Sequence, residues 1–315
     1  MLLIDKGNKL EHAPLVATIG FFDGVHTGHR YLIEQVKEEA IKRGLPSAVI
    51  TFPVHPRKVL QKDYQPALLC GYEEKIERLT QTGIDYCISL DFSIEISCLS
   101  AQDFMHKILK DKFSVDTLII GYDHRFGHNR EDGFSDYEHY GKKLGINVIE
   151  AKELPGLEHV SSSRIRKLLN EGFVRKASRL LSYNYTISGK IVEGFKVGRT
   201  IGFPTANIQV WERYKVIPAF GVYAVYVHVE DKKYEGMLYI GKRPTLHNGD
   251  NISVEVNLFD FEGDLYNKEL TAEFLDFVRP DEKFSDIDTL KNQIQQDKET
   301  VIKVISSYKK HNSSL

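Results

Sequence analysis

The sequence predicts two domains in series: an α/β domain built on parallel strands, then an all-β domain that ends in a helix. The first reason is length, because 315 residues exceed what one hydrophobic core usually serves. The second is a change in the spacing of apolar residues along the chain. Up to about residue 181, short apolar runs alternate with amphipathic helical stretches, whereas beyond it apolar and polar residues alternate singly. No linker-like composition marks the change, so we predict domains over 1–182 and 183–315.

In the first domain, five short apolar runs predict strands at 14–22, 47–52, 86–92, 116–121 and 146–151. A helix is predicted from His29 to Arg43, ended by Gly44 and Pro46. Its expected apolar face comprises Leu32, Ile33, Val36, Ala40 and Ile41. A second helix is expected to begin at Ser100, with an acidic third residue. Strands separated by helices pair in parallel through right-handed crossovers, which predicts a doubly wound sheet.

In the second domain, alternating segments are broken by Gly, Asp and Asn turns, at 185–194, 221–230, 233–241, 252–261 and 270–278. This pattern is typical of a compact antiparallel barrel or sandwich. A last helix from Asp286 to about Tyr308 is expected to carry an apolar stripe of Ile287, Leu290, Ile294, Val301 and Ile305.

Composition narrows the classes of function. The hydrophobic content of 42% and charged content of 27% are ordinary for a core-forming protein. The net charge of −2 and the absence of a long basic run give no support for a nucleic-acid or membrane partner. Three cysteines without CxxC spacing indicate free thiols. With no recognisable signal segment and no apolar run of about 18 residues, a cytoplasmic location is expected.

The first strand-to-helix turn, GFFDGVHTGH (20–29), has the features of a phosphate site. Glycines let the backbone approach a ligand, and the N–H groups at a helix start favour anions. His26 and His29 supply donors for charge that develops on a phosphoryl group. In a doubly wound sheet, ligands bind beyond the carboxyl ends of the strands, where this turn lies. An isolated HxGH also fits two ordinary capping or surface histidines.

A later segment, VSSSRIRKLL (160–169), predicts a second anion-binding helix start. Ser161 or Ser162 can cap this helix, and its hydroxyl and N–H groups would then face an anion. Arg166 lies about one turn from Ser162 and Ser163. A purely structural cap has the same pattern.

The second domain opens with GKIVEGFKVGRTIGFPTANI (189–208), whose glycines suit either a phosphate loop or barrel corners. No GxxxxGK[ST] occurs, which excludes a P-loop kinase. Thr205 and Asn207 share one face of an extended chain, and their oxygens suit Mg²⁺. They also fit the polar side of an ordinary strand. In 252–258, spacing alone places Glu255 on the solvent face, with Ser253 and Asn257.

Several strings together resemble one family. GFFDGVHTGH resembles the HxGH turn of the nucleotidyltransferase superfamily, and more closely that of the bacterial bifunctional riboflavin kinase/FAD synthetases. TFPVHPRKVL (51–60), GYDHRFGHNREDG (121–133) and VSSSRIRKLL follow in the family's order, and GFPTANI (202–208) is similar to the riboflavin kinase signature. The resemblance implies a Rossmann-like nucleotidyltransferase domain and a six-stranded antiparallel, riboflavin kinase-like barrel.

For the first domain, the resemblance implies transfer of AMP from ATP to FMN, giving FAD and pyrophosphate. His26 and His29 are the implied catalytic residues. The implied ATP- and phosphate-binding residues are Gly20, Phe21, Asp23, Gly24, Gly28, Ser162, Ser163 and Arg166. The implied flavin-binding residues are His55, Pro56, Asp123 and Arg125.

For the second domain, the resemblance implies phosphorylation of riboflavin by ATP. Glu255 would be the base that takes the proton of the ribityl hydroxyl, and Thr205 and Asn207 would hold Mg²⁺ with ATP. The implied ATP-binding residues are Gly189, Gly198, Gly202, Pro204, Thr205 and Asn207.

Two other functions stay open at this level. The barrel could be a flavin-binding regulatory module without kinase activity, although the three polar residues of the predicted kinase site argue against it. A nucleic-acid-binding barrel is disfavoured by the neutral charge. The expected partners are small molecules, riboflavin, FMN and ATP, and the sequence leaves self-association into a homo-oligomer open.

Overall fold

The computed structural model describes residues 1–5, 14–121, 124–128, 131–156, 160–193, 198, 201–242 and 252–312. The chain divides into two compact units, Met1–Ser162 and Ser163–Leu315. None of the helices in the described ranges has the length and apolar character needed to cross a membrane.

The first unit is built on the doubly wound parallel sheet that the sequence predicts. Its strands are β1 (Leu2–Ile4), β2 (Leu15–Ile19), β3 (Ser47–Thr51), β4 (Tyr86–Ser89), β5 (Val115–Ile120) and β6 (Asn147–Glu150). They lie in the order β1-β4-β3-β2-β5-β6, and every neighbouring pair is parallel. Every residue of β2 and β3 is buried, which explains their continuous apolar runs. The sequence did not predict β1, a three-residue strand at the edge.

Helices connect these strands. They are α1 (Thr27–Arg43), α2 (Pro56–Leu60), α3 (Tyr72–Thr80), α4 (Ile94–Ser97), α5 (Ala101–Phe104, continued by a π-helical segment, Met105–Lys112) and α6 (Phe134–Leu144). Gly44 ends α1 in the left-handed conformation at φ 64°, and the Ser100 side chain caps α5, both as predicted. The prediction for Ile41 is wrong: it is 80% exposed, because it lies about 100° around the helix from the buried Ala40.

The order of the strands determines where a ligand can bind. From β2 the chain moves outward through β3 to β4, and then returns to place β5 on the opposite side of β2. The carboxyl ends of β2 and β5 therefore flank a topological switch point, the usual ligand crevice of such sheets. The turn 20–29 follows β2, and the segment 121–133 follows β5.

The second unit contains a closed antiparallel barrel. Of the two architectures that the sequence left open, barrel and sandwich, the barrel is therefore the one that forms. Its strands are β7 (Thr186–Val192), β8 (Ala206–Val210), β9 (Gly221–Val229), β10 (Lys232–Lys242), β11 (Ile252–Leu258) and β12 (Glu269–Pro280). They close in the order β10-β11-β8-β7-β12-β9, which leaves no open edge. The unit also holds most of α7 (Ser162–Asn170), with α8 (Val174–Leu181) and α9 (Ile287–Asn312).

The terminal helix α9 packs on the barrel through the predicted stripe. Val301 and Ile305 are fully buried in a cluster with barrel residues that include Leu275. Ile287, in contrast, is 56% exposed, so its assignment to the buried stripe is wrong. It is the first residue of the helix, and the helix enters this cluster only from Ile294 onward.

Candidate active sites

The turn after β2 is tightly folded and held from one side by a neighbouring loop. Phe22 and Gly24 adopt left-handed conformations, with φ of 55° and 75°. The buried Asp23 carboxylate accepts hydrogen bonds from the backbone N–H groups of Leu69, at 2.9 Å, and Cys70, at 3.4 Å. The Gly24 N–H donates to the Cys70 sulfur at 3.1 Å. Asp23 thus shapes the turn, whereas its contribution to phosphate binding stays a prediction.

The two histidines of the turn stack on each other. Their ring centroids are 3.6 Å apart and their planes differ by 16°. His26 caps α1, because its Nδ1 accepts the backbone N–H of His29 at 3.3 Å. We therefore infer that the proton of a neutral His26 lies on Nε2. A Cβ at Gly28 would lie only 3.3 Å from the His26 ring, so glycine leaves this ring room.

His29 is held neutral by its surroundings. Burial lowers its pKa well below the usual 6.5, and repulsion by His26, Lys75 and His124 lowers it further. Its buried Nδ1 has no hydrogen-bond partner among the residues that the structure describes. A neutral imidazole among basic groups at a helix start suits an anionic ligand, which these groups would attract.

This low pKa predicts that acid destabilises the first unit. In the unfolded chain His29 titrates near 6.5, so below that pH the unfolded state binds the extra proton and the folded state does not. The free energy of unfolding should therefore fall as pH falls below 6.5. We expect His29→Gln to lose less protection than the unchanged protein between pH 7.5 and 5.5, as measured by amide hydrogen exchange in peptides covering β2 and β3. Equal losses in both proteins would contradict this.

The predicted flavin residues at the end of β3 lie beside the turn. The Phe21 and His55 rings meet edge to face with centroids 4.7 Å apart. His55 also caps α2, since its Nδ1 accepts the backbone N–H of Arg57 at 3.2 Å, and Pro56 is the first residue of that helix. The backbone N–H of Gly20 donates to the carbonyl of Ile50 at 3.0 Å, which joins the turn to β3.

Ser162, the last residue of the first unit, contacts the turn through its hydroxyl. Ser162 Oγ donates to the carbonyl of Asp23 at 3.1 Å. On the following residues of α7, Ser163 is exposed and Arg166 is half-buried. The hydrogen bond brings Ser162 together with the histidine turn, and the roles of Ser163 and Arg166 stay predictions.

The segment after β5 is only partly described. Arg125 is half-buried, and its Nη1 donates to the carbonyl of His124 at 3.0 Å. The proximity of His124 is one reason for the low pKa of His29. Asp123 lies outside the described residues.

Sequence reasoning missed one buried cation beside this turn. Lys75, on α3, is 2% exposed, and its Nζ donates to the carbonyls of Phe21, at 3.1 Å, and Phe52, at 2.7 Å. The sequence contained a feature that could have predicted this burial. Lys75 lies four residues before the fully buried Leu79, and therefore on the same apolar face of α3.

In the second unit, a pocket of about 670 Å³ is lined by four of the predicted kinase residues, Gly198, Thr205, Asn207 and Glu255. The predicted residues Gly189, Gly202 and Pro204 are not among the described residues that line it. Asn207 on β8 pairs directly with Glu255 on β11. The Glu255 carboxylate accepts hydrogen bonds on both oxygens, from Thr205 Oγ1 at 3.1 Å and from Ser253 Oγ at 2.8 Å. Each oxygen keeps a lone pair for a further donor, so the carboxylate is oriented and still able to accept a proton.

The polar face of β11 is not simply a solvent face, as spacing alone indicated. Ser253 and Asn257 are 5% and 7% exposed, and Glu255 is half-buried. The reason is that this face lines the pocket, together with Asn207 and Thr205 beside it. Asn257 Nδ2 also donates to the carbonyl of Pro204 at 2.6 Å, which fixes the GFPTANI segment against β11.

Two of the glycines predicted for the kinase site occupy tight backbone positions, and a third has a left-handed conformation. A Cβ at Gly189 would collide with the carbonyl oxygen of Gln209 on the neighbouring strand β8, and one at Gly198 with that of Phe203. Gly202 has a φ of 87°, which glycine adopts without strain. Gly198 lines the pocket, and the assignment of all three glycines to ATP binding stays a prediction.

The pocket lining also contains an ion pair that sequence reasoning missed. Arg279 on β12 donates through Nε and Nη2 to the carboxylate of Asp297 on α9, at 2.8 to 3.0 Å. Asp297 is 2% exposed. The sequence feature that could have revealed this burial is the position of Asp297 between Ile294 and Val301, on the apolar stripe of the helix.

Removing this carboxylate should destabilise the barrel. Asp297→Ala leaves the guanidinium of Arg279, whose side chain is 15% exposed, without its partner, and such losses cost about 3 kcal/mol or more. Trp211 at the end of β8 is the single tryptophan, so its fluorescence during urea unfolding reports on this unit. Glu299→Ala, on an exposed position of the same helix, should cost less than about 1 kcal/mol. If both variants lost the same free energy of unfolding, the buried ion pair would contribute no more to stability than an exposed side chain.

Two family models match the chain in turn. The FAD synthetase model covers residues 8–164, and the riboflavin kinase model covers residues 181–305. Each model therefore coincides with one of the two candidate sites.

Similar proteins match over nearly the whole length. The bifunctional riboflavin kinase/FMN adenylyltransferase of Escherichia coli (strain K12) is 37% identical over 95% of this chain and 96% of its own. That of Listeria monocytogenes is 36% identical over 90% of each chain. A solved structure described as a macrolide-efflux protein from Streptococcus pneumoniae has a TM-score of 0.84 and 32% identity, over 95% of this chain and 98% of its own. The chain belongs to the family of bifunctional riboflavin kinase/FMN adenylyltransferases.

Proposed function

We propose that this chain makes FAD in two steps at two separate sites. The barrel transfers a phosphoryl group from ATP to riboflavin and yields FMN and ADP. The first unit transfers AMP from a second ATP to FMN and yields FAD and pyrophosphate. One observation carries the proposal: the stacked pair His26–His29 and the cluster Thr205–Asn207–Glu255 lie in different units, each matched by the corresponding family model.

In adenylyl transfer, a phosphate oxygen of FMN forms a bond to the α-phosphorus of ATP, and the bond from that phosphorus to pyrophosphate breaks. The attacking oxygen belongs to FMN, so the protein supplies position and charge stabilisation. His26 and the neutral His29 would donate ring N–H groups to phosphate oxygens, and the N–H groups at the start of α1 add to the anion site. The residues proposed to line the ATP site are Gly20, Phe21, Asp23, Gly24, Gly28, Ser162, Ser163 and Arg166. Those proposed for the flavin site are His55, Pro56, Asp123 and Arg125.

In the kinase step, Glu255 would take the proton of the 5′-hydroxyl of riboflavin while that oxygen attacks the γ-phosphorus and ADP leaves. The two hydroxyl donors from Thr205 and Ser253 fix the carboxylate in one orientation. A carboxylate in hydrogen-bond reach of the hydroxyl is a suitable general base.

The donor set beside Glu255 fits Mg²⁺. The hydroxyl of Thr205 and the amide oxygen of Asn207 are hard oxygen ligands, and Mg²⁺ takes its remaining ligands from water and nucleotide phosphates. No group of three or more His, Cys, Asp or Glu side chains in the described ranges forms a metal site on its own, so a site shared with ATP fits better. When bound, Mg²⁺ would neutralise phosphate charge during transfer.

We further propose that the chain works in the cytoplasm on small molecules, without a nucleic-acid or membrane partner. The three cysteines, two of them buried, are free thiols, which is usual in a reducing compartment. The net charge of −2 offers no general attraction to nucleic acid.

A chromatographic time course tests the function directly. The pure full-length chain is incubated with riboflavin, Mg²⁺ and ATP, and riboflavin, FMN and FAD are separated and quantified. We expect FMN to appear first and FAD to follow, and neither to form without ATP. If riboflavin stays unchanged while supplied FMN becomes FAD, the barrel is a non-catalytic flavin-binding module and the proposed kinase role is wrong.

A further inference from the structure

Lys75 is a buried cation at the edge of the sheet where the histidine turn begins. Besides its hydrogen bonds to the carbonyls of Phe21 and Phe52, its Nζ lies 4.1 Å from the centroid of the Phe21 ring. Thr51 Oγ1 also donates to the Phe21 carbonyl, at 3.2 Å. In the part of the chain that the structure describes, no carboxylate forms an ion pair with the ammonium group.

An ammonium group in this position is costly to bury. Burial lowers the pKa of Lys75 to about 8, although the Cys70, Asp23 and Cys87 side chains favour its charged form. On its own helix α3, the ring of Tyr72 lies 5.6 Å from Nζ. Towards α1 its charge acts on His29 and contributes to the low pKa of that imidazole.

A neutral side chain of similar size would fill this volume without the cost of the charge. The two carbonyls that Lys75 joins lie just beyond the carboxyl ends of β2 and β3, the strands that lead into the histidine turn and the His55 segment. Its charge therefore sits below the surface that would bind two polyanions, ATP and FMN.

We propose that Lys75 is a positioning residue for adenylyl transfer: its ammonium group fixes the start of the histidine turn and supplies a buried positive charge to the phosphates bound there. This inference rests on the proposed FMN adenylyltransferase activity. A merely structural lysine would also join β2 to β3, but the rate of FAD formation would then not follow its charge.

The test compares the full-length chain with Lys75→Met, which removes the charge, and Lys75→Arg, which keeps it. In the unchanged protein, kcat/KM for FAD formation from FMN and ATP should fall as pH rises through about 8, because Lys75 is protonated below its pKa and neutral above it. In Lys75→Met, kcat/KM at pH 7 should fall at least about tenfold, as for loss of a charge-stabilising group, and the alkaline decline should be absent. Lys75→Arg should recover part of the loss.

The riboflavin kinase reaction of the same molecules is the internal control and should stay unchanged. A Lys75→Met protein within about threefold of the unchanged rate, or one that keeps the same alkaline decline, would overturn the proposal. If Lys75→Met does not fold, the unchanged protein decides: a flat profile between pH 7 and 9.5 would also overturn it. Absence of FAD formation by the unchanged protein at every pH would instead refute the adenylyltransferase assignment.

Discussion

Glu255→Gln is expected to lower kcat for FMN formation by about 10³-fold, within the range for loss of a general base. The amide is nearly the same size as the carboxylate, so it fills the same place beside Thr205 and Ser253, but it cannot take a proton from the substrate hydroxyl. The rate is measured with riboflavin, Mg²⁺ and ATP. FAD formation from supplied FMN should be unchanged, because that reaction belongs to the other unit.

Ser253→Ala is the matched control for this variant. It removes one hydrogen bond to Glu255 and leaves the proton acceptor in place, so kcat should fall far less than in Glu255→Gln. A Glu255→Gln protein that forms FMN at a near-normal rate would show that another group takes the proton.

His29→Ala is expected to lower kcat for FAD formation by about 10² to 10³-fold, the usual effect of losing one donor to a developing anion. The change removes the ring N–H donor of His29 and also the ring on which His26 stacks. Rates are measured from FMN and ATP, so the kinase step does not limit them. FMN formation from riboflavin should be largely intact.

His139→Ala controls for the loss of a histidine as such. His139 is exposed on α6, and its replacement should leave both reactions unchanged. If His29→Ala abolished FMN and FAD formation together in a folded protein, the assignment of the two reactions to two sites would be wrong.

The local pattern of apolar and polar residues was sufficient to predict most of the fold. The apolar runs of β2 and β3 correspond to complete burial, and they predicted the parallel sheet. The alternation along β9 and β11 predicted the antiparallel strands but not their burial, because both faces of these strands contain buried residues. The strand β1 was missed because three residues carry no readable period. Ile41 and Ile287 were misassigned because helical periodicity does not state where along a helix the packing begins or how wide the buried face is.

The candidate sites depend on contacts between residues far apart in sequence. Spacing placed Thr205 and Asn207 on one face, but only the pairing of β8 with β11 brings Glu255 beside them. Likewise, a lysine or an aspartate on the apolar face of a helix indicates a buried charged group, but the sequence does not predict which residue it will bind. The carbonyls that Lys75 binds and the guanidinium that Asp297 binds come from other elements of the fold.

The most direct measurement is a crystal structure of the full-length chain with Mg²⁺ and a non-hydrolysable ATP analogue. Two nucleotides per chain are expected. The phosphates of one should lie at the turn that carries His26 and His29, and those of the other against Thr205 and Asn207. A single nucleotide, or nucleotides bound away from these side chains, would contradict the existence of two separate ATP sites.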